Sequence, residues 1–481
     1  MKSTFLLGSS SVINIILGII RNKLIAILLN PSGVGLLGVY QSITNLAGTI
    51  SGLGINESGA RYTALAYRAG EEATIARTRL SLRRIALITG ICGTILLLLS
   101  SKPISLLTFG SSRRALEISL LSVTVLFGAV SGGQYALIQG ARKIKYLAKM
   151  NVLGPLYGTL LSLPIIYFWG MRAIVSYLII MAATNIVTTW WYSKKLKIPE
   201  FRSSMRSSLS NGKPLLTLGA ALMVGNLAGV ATQYLLRVLI IRFLDLNAAG
   251  EYQASAILSS VYVGILLNAM ATDFYPRLSA ASDNDKECGN LVNKQIHTGL
   301  LIAAPGVVAT LTFVHLIIVQ LYSKHFVQAP EVLKWQILGV FLSVVTWPMG
   351  YVFRAKADGK LFVATELFAG FSYLALAWVG IQYFGLPGTG LAFFVRNAVY
   401  AILIYRIIHR KYGFSLSPTN VHVLLLFSAA IGATFLSPYV LGKSHLILSI
   451  GIILGVSAYC IRSLALYSVL SRFLSRLRKA G

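Results

Sequence analysis

Residues 21–42 read RNKLIAILLNPSGVGLLGVYQS. The stretch closes one apolar segment, 4–29, breaks at Asn30-Pro31-Ser32-Gly33, and enters a second, 34–57. Each segment is as long as the ~20 apolar residues that span a bilayer. Working outward, segments of the same kind recur at 83–101, 115–139, 147–168, 172–192, 215–243, 250–275, 297–323, 333–354, 361–384, 387–409, 421–441 and 445–466. That makes about fourteen spans by the length rule. Hydrophobic residues make up 56% of the 481 and charged residues 12%, with a mean hydropathy of +0.72. A water-soluble domain carries about 25% charged residues. The composition therefore predicts an all-α polytopic membrane protein in which no long soluble domain remains.

The basic residues set its orientation. Alternate gaps, together with both termini, hold the large majority of the 43 lysines and arginines, in clusters such as Arg77 to Arg84, Arg142 to Lys149 and Lys194 to Lys213. The opposite gaps hold only Lys102, Arg113, Arg114, Arg172, Lys324, Lys334 and Lys443. The positive-inside rule then places both termini in the cytoplasm of a multi-pass inner-membrane protein. The net charge of +29 reads as topology and attraction to anionic membrane lipids, not as nucleic acid binding. Cys92, Cys288 and Cys460 are scattered, with neither a disulfide framework nor metal-ligand spacing.

The chain repeats itself at an offset near 212–216 residues. Gly38-Val-Tyr40-Gln41 matches Gly250-Glu-Tyr252-Gln253, and Glu57-Ser-Gly-Ala-Arg61-Tyr-Thr63-Ala64 matches Asp273-Phe-Tyr-Pro-Arg277-Leu-Ser279-Ala280. Gln139 to Arg142 aligns with Ala357 to Lys360, and Tyr167-Phe168 with Tyr383-Phe384. Such order predicts two six-helix bundles in parallel repeat: residues 1–192, a basic cytoplasmic linker at 193–213, and residues 214–411. An extra helix pair and a basic tail follow at 412–481.

Charges inside spans are expensive and usually face a cavity. Arg21 and Lys23 lie ~12 and ~9 Å from the outer end of the first span by helical rise. Arg237 sits at similar depth in its duplicated counterpart, and Arg396 about 14 Å deep in the twelfth span. Snorkelling to the headgroups is the alternative for such side chains, and is the reading for Arg242 and Arg462. For Arg21, Lys23, Arg237 and Arg396, the duplicated origin favours a shared basic cavity with no acid at its level. Such a cavity concentrates an anion, and guanidinium suits phosphate oxygens. Glu57/Arg61 and Asp273/Arg277 are spaced i,i+4, as local ion pairs or as a gate facing a cleft. Glu366 is the candidate for coupling to H+ or Na+, against a simple structural hydrogen bond. His315 reads as a packed histidine.

The block 21–42, together with Met270-Ala-Thr-Asp273-Phe-Tyr-Pro276-Arg277-Leu-Ser279, resembles the bacterial oligosaccharide flippases. These are the Wzx-type O-antigen translocases of the polysaccharide transporter family, within the multidrug/oligosaccharidyl-lipid/polysaccharide superfamily. The resemblance covers the first twelve spans; many members have only twelve. It implies two bundles around a V-shaped cavity, alternating access, and movement of an undecaprenyl-pyrophosphate-linked saccharide from the inner to the outer leaflet. It also implies no cofactor, with a polysaccharide polymerase and a chain-length regulator as prospective partners.

A lipid II-type flippase fits the same features and is the nearest rival. A MATE-type drug antiporter shares the architecture but would want acidic or aromatic cavity groups. An enzyme is disfavoured, because the sequence offers no paired carboxylates, nucleotide motif, large outward loop or Ser/His/Asp arrangement.

Overall fold

The computed structural model describes residues 2–199, 201 and 204–480, with side chains described outside 2–7, 205–211, 221–222, 262–263, 265–272, 443 and 465–480. The described residues are helical throughout and contain no strand, as hydrocarbon demands of backbone that must satisfy its own hydrogen bonds. Eleven helical stretches among them are long and apolar enough to cross a membrane. This is fewer than the expected count of about fourteen. Two of the eleven, Gly8–Gly52 and Ile144–Lys194, run through a backbone break and hold two of the sequence segments each.

By packing, the chain divides into two units, 1–253 with 321–325, and 254–320 with 326–481. The first holds α1 (Lys2–Gly52), α2 (Ile55–Ala69), α3 (Glu72–Phe109), α4 (Ala115–Gly140), α5 (Ile144–Trp169), α6 (Ile174–Lys194), α7 (Met205–Phe243) and the head of α8 (Leu246–Ala280). Packing thus divides the chain differently from the expected repeat: 214–253, expected in the second bundle, packs with the first unit.

Small residues hold this unit together. Lipid supplies no hydrophobic drive between helices, so association relies on close backbone approach. Gly90 meets Leu126 and Ala129 between α3 and α4, and Gly158 meets Met181 and Thr184 between the antiparallel α5 and α6. The tightest crossing joins α1 to α8, where a Cβ on Gly250 would lie 1.8 Å from the Pro31 carbonyl oxygen and one on Gly35 2.3 Å from that of Leu246. The segments Gly38-Val-Tyr40-Gln41 and Gly250-Glu-Tyr252-Gln253 approach each other here, Gly38 against Gln253.

The basic connection is shorter than 193–213, because α6 runs to Lys194 and α7 begins at Met205. It is also tied down. Arg79 donates to the Ile198 carbonyl and Arg84 to that of Ser204, each at 2.8 Å.

The second unit contains α9 (Asp285–Thr312), α10 (Val314–Leu321), α11 (Ala329–Ala355), α12 (Gly359–Phe384), α13 (Pro387–Tyr412), α14 (Pro418–Leu441) and α15 (His445–Ala480). Its core is aliphatic and aromatic, with Val292, Leu300, Phe353, Ile404 and Phe427 at 0–1% exposure. The extra pair α14/α15 belongs to this core and is clasped to α9 by asparagines. Asn420 Nδ2 donates to the Asn293 carbonyl at 2.8 Å and Oδ1 at 3.0 Å, and His297 Nδ1 meets Asn420 Oδ1 at 3.1 Å. At the same unit's α11–α12 turn, the Lys411 ammonium bonds Asp358 and holds its carboxyl below the usual range.

The Gly35–Gly250 crossing makes a direct prediction. Gly250→Ala drives a methyl into a backbone carbonyl and should cost about 1–3 kcal/mol, read as a lower midpoint of thermal unfolding. Gly451→Ala, which meets no atom within 4 Å, should be neutral or stabilise by about 0.5–1 kcal/mol. Equal losses at both sites would refute the crossing.

Candidate functional site

The second arm of α1, residues 31–52, carries one polar face. Gly38, Gln41, Asn45, Gly48 and Gly52 recur at alternating steps of three and four, the repeat that keeps residues on one side of a helix. On α7, Met223, Asn226, Val230, Gln233 and Arg237 do the same. Both faces line a single groove of about 910 Å³ within the first unit, completed by Thr124, Gly128 and Ala129 of α4, Ala182 of α6 and Gln253 of α8. A smaller cavity of about 240 Å³ in the same unit gathers Asn14, Tyr135, Asn151 and Asn185.

One end of the groove is set where α1 stops. Leu53 and Gly54 take positive φ values of 43° and 61°, and the chain restarts as α2. The break fits because α7 presents a glycine to it: a Cβ on Gly54 would lie 2.1 Å from the Gly219 oxygen. It turns Asn56 and Glu57, in the first turn of α2, into the groove.

At the other end, Arg237 is held by carboxamides. Its Nε and Nη2 donate to Gln253 Oε1 at 3.1 and 2.7 Å, and Nη1 donates to the Gln233 carbonyl at 2.8 Å and Oε1 at 3.3 Å. The Tyr252 ring lies 5.9 Å from its guanidinium. Gly38 leaves room for the arrangement, since a Cβ there would be 2.7 Å from the Gln253 carboxamide. On the opposite side of the same arm, the buried Tyr40 hydroxyl donates to Glu117, which also takes Arg114 Nη1 at 3.1 Å. This network fastens the arm to the head of α4 and leaves Gly38 and Gln41 facing the groove.

The sequence-predicted residues separate in space. Arg237 and Glu57 line the groove, one near each end. Arg21 and Lys23, on the first arm of α1, are half-buried and are not among its lining residues; the Arg21 Nε is buried without a hydrogen-bond partner. Arg396, on α13 of the second unit, sits over the rings of Tyr373 and Phe393 at 5.5 and 5.1 Å. Arg277 and Asp273 close their ion pair at 3.0 Å in exposed positions. Glu57 and Arg61 form no such pair among the described residues, because Glu57 turns into the groove. Glu366 accepts from the Tyr400 hydroxyl at 3.4 Å, a local bond between α12 and α13.

Among the described residues of this unit acids accompany the bases: Glu117 pairs with Arg114 behind the α1 arm, and Glu251, two residues from Gln253, is buried at 7% exposure. Among the groove's described lining residues the charged groups are one guanidinium and one carboxylate, where a predominantly basic set was expected. What dominates it is neutral: the carboxamides of Gln41, Asn45, Asn56, Asn226, Gln233 and Gln253, with the hydroxyls of Thr44, Thr49 and Thr124. The signal was present in the sequence as the three–four spacing of amides and glycines on segments 34–57 and 215–243.

The exposed face of α1 can be checked chemically. In a background without Cys92, Asn45→Cys and Gln233→Cys in the solubilised protein should react with a water-soluble maleimide at least about tenfold faster than Ile43→Cys. Ile43 is 2% exposed and faces away. Similar rates at all three positions would mean that the groove is closed.

Residues 1–282 match the family model described as polysaccharide biosynthesis protein. Among curated proteins, the lipid III flippase of Escherichia coli (strain K12) is 23% identical over 418 residues, covering 83% of this chain and 95% of that protein. The lipopolysaccharide biosynthesis protein WzxC of the same organism is 23% identical over 411 residues, covering 82% and 78%. Among solved structures, the inward closed conformation of the lipid II flippase MurJ superposes with a TM-score of 0.70 at 15% identity. The match covers 96% of this chain and 100% of that one, a likeness of fold.

Proposed function

The chain belongs to the polysaccharide biosynthesis protein family, and from that membership we propose that it is a flippase for a lipid-linked saccharide. It carries an undecaprenyl-pyrophosphate-linked oligosaccharide, an O-antigen or exopolysaccharide unit, from the inner to the outer leaflet of the bacterial inner membrane by alternating access. It is a transporter and not a catalyst. The observation that carries this reading is a wide polar groove at membrane depth with a single guanidinium fixed by carboxamides. Such a group is costly in hydrocarbon and is best understood as an anchor for substrate oxygens, which a planar guanidinium binds in pairs.

In this reading Arg237 takes the anionic part of the substrate, and Arg21, Lys23 and Arg396 supply further positive charge along the route. Glu57, Arg61, Asp273 and Arg277 act at the cytoplasmic gate, with Glu57 or Glu366 taking the coupling H+ or Na+. The two six-helix halves, 1–192 and 214–411, are parallel repeats. The pair in 412–481, clasped to α9, offers a surface to a polymerase or chain-length regulator. A lipid II-type precursor is the second reading, favoured by the full-length likeness of fold to a protein with that substrate. A MATE-type antiporter fits less well, because the described lining residues include no aromatic ring and a single carboxylate, matched by a guanidinium.

Topology is the first test. Reporter fusions at Asn211 and Tyr412 should report cytoplasm, and those at Asn247 and Lys443 periplasm. A periplasmic signal at Asn211 would break the parallel-repeat arrangement.

The second test separates transport from chemistry. Cells lacking the protein should still assemble the complete undecaprenyl-linked unit, which should accumulate in the inner leaflet beyond the reach of probes added outside. Restoring the gene should move it outward at unchanged mass. Restoring Arg237→Ala should move at least about tenfold less at equal protein level, the cost of one charge-assisted contact. A truncated or already exposed unit in the deletion strain would sink the transport reading.

A further inference from the structure

Four carboxamides of the groove, those of Gln41, Asn45, Asn56 and Asn226, make no hydrogen bond to any described residue, and all but Asn56 reach the groove from the polar stripe of α1 or α7. In the second unit two buried asparagines are bonded. Asn397 Nδ2 donates to the Phe393 carbonyl at 2.9 Å while its Oδ1 accepts from Ser343 at 3.1 Å. Asn420 and Asn293 satisfy each other. Polar side chains in spans are costly unless bonded or wetted, so the groove amides are held ready for something that enters.

The glycines beside them point the same way. A Cβ placed on Gly48, Gly52, Gly128 or Gly229 meets no atom within 4 Å, although all four line the groove. Glycine inside a helix is less stable than alanine by roughly 0.5–1 kcal/mol, and no packing contact here requires it. Their effect is to keep the groove wide where the amides are exposed. Along α1, the stripe from Gly38 to Gly52 extends about 21 Å by helical rise.

Resting on the flippase reading above, we propose that Gln41, Asn45 and Asn226 form the saccharide-binding wall of the groove, distinct from the anion contact at Arg237. An amide offers two donors and an acceptor, matching the hydroxyls of a sugar, each both donor and acceptor. Among the described lining residues there is no aromatic ring, so what these residues contribute to recognition is hydrogen bonds and the width the glycines provide. These residues set affinity for the sugar portion, while the lipid and its diphosphate are held elsewhere.

The test uses the purified full-length protein and two probes, sugar-free undecaprenyl pyrophosphate and the saccharide-bearing lipid extracted from cells lacking the gene. Asn45→Ala/Asn226→Ala should weaken binding of the saccharide-bearing lipid about tenfold or more and leave the sugar-free lipid within about twofold. Gly229→Leu, which fills open space, should give the same split with an unchanged unfolding midpoint, so that a folding defect in the double variant cannot imitate the result. Equal weakening of both lipids, or of neither, overturns the saccharide wall while the flippase reading stands. Wild-type protein that binds neither lipid overturns both.

Discussion

At Gly35 and Gly250 two helices touch backbone to backbone, and the geometry of the groove depends on that contact. With side chains absent from the crossing, the head of α8 lies close enough to α1 for Gln253 to fill the space above Gly38. Gln253 in turn grips the Arg237 guanidinium from α7. Three helices and one cation are thus registered by missing β-carbons, the means by which membrane helices approach closely when lipid is as apolar as leucine. The Tyr40–Glu117–Arg114 network secures the same arm from behind. Its polar groups satisfy one another, so the arm presents its open amides on the groove side only.

The groove separates its two charges. Arg237 lies near the α8 head and Glu57 at the broken joint between α1 and α2, with a neutral amide lining between them. Charges separated across a wet groove neutralise each other little. A lining of carboxamides also avoids binding too tightly, since each neutral hydrogen bond exchanged with water is worth only about 0.5–1.5 kcal/mol net. A carrier must release what it binds, and many weak contacts with one or two strong ones suit that requirement.

The helix pair α14/α15 illustrates how packing assigns a role that order along the chain does not. By sequence it lies outside the expected repeat. In the structure Asn293, His297, Asn420 and the Ser417 cap bind it to α9, and Phe427 is wholly buried in the core of the second unit. It is an integral layer of that unit.

Much was determined by the sequence alone. Apolar length and the distribution of lysine and arginine follow from transfer free energies that act residue by residue, so the all-helical membrane class was legible in segments such as 4–29 and 34–57. The duplicated motifs at Gly38 and Gly250 were legible because they are local patterns. The tertiary structure alone decided which side chains share a space. Arg21 and Arg237 occupy corresponding places in the expected repeat, yet of the two only Arg237 is among the groove's lining residues, because position along a helix is a one-dimensional quantity whereas the direction a side chain faces depends on its neighbours. The Leu53–Gly54 break likewise sets α2 so that Glu57 lines the groove, which its i,i+4 spacing to Arg61 does not reveal. The neutral character of the groove escaped the sequence reading because unpaired amides are written with the same letters as the bonded ones of Asn397 and Asn420. Only the position of their neighbours tells the two apart.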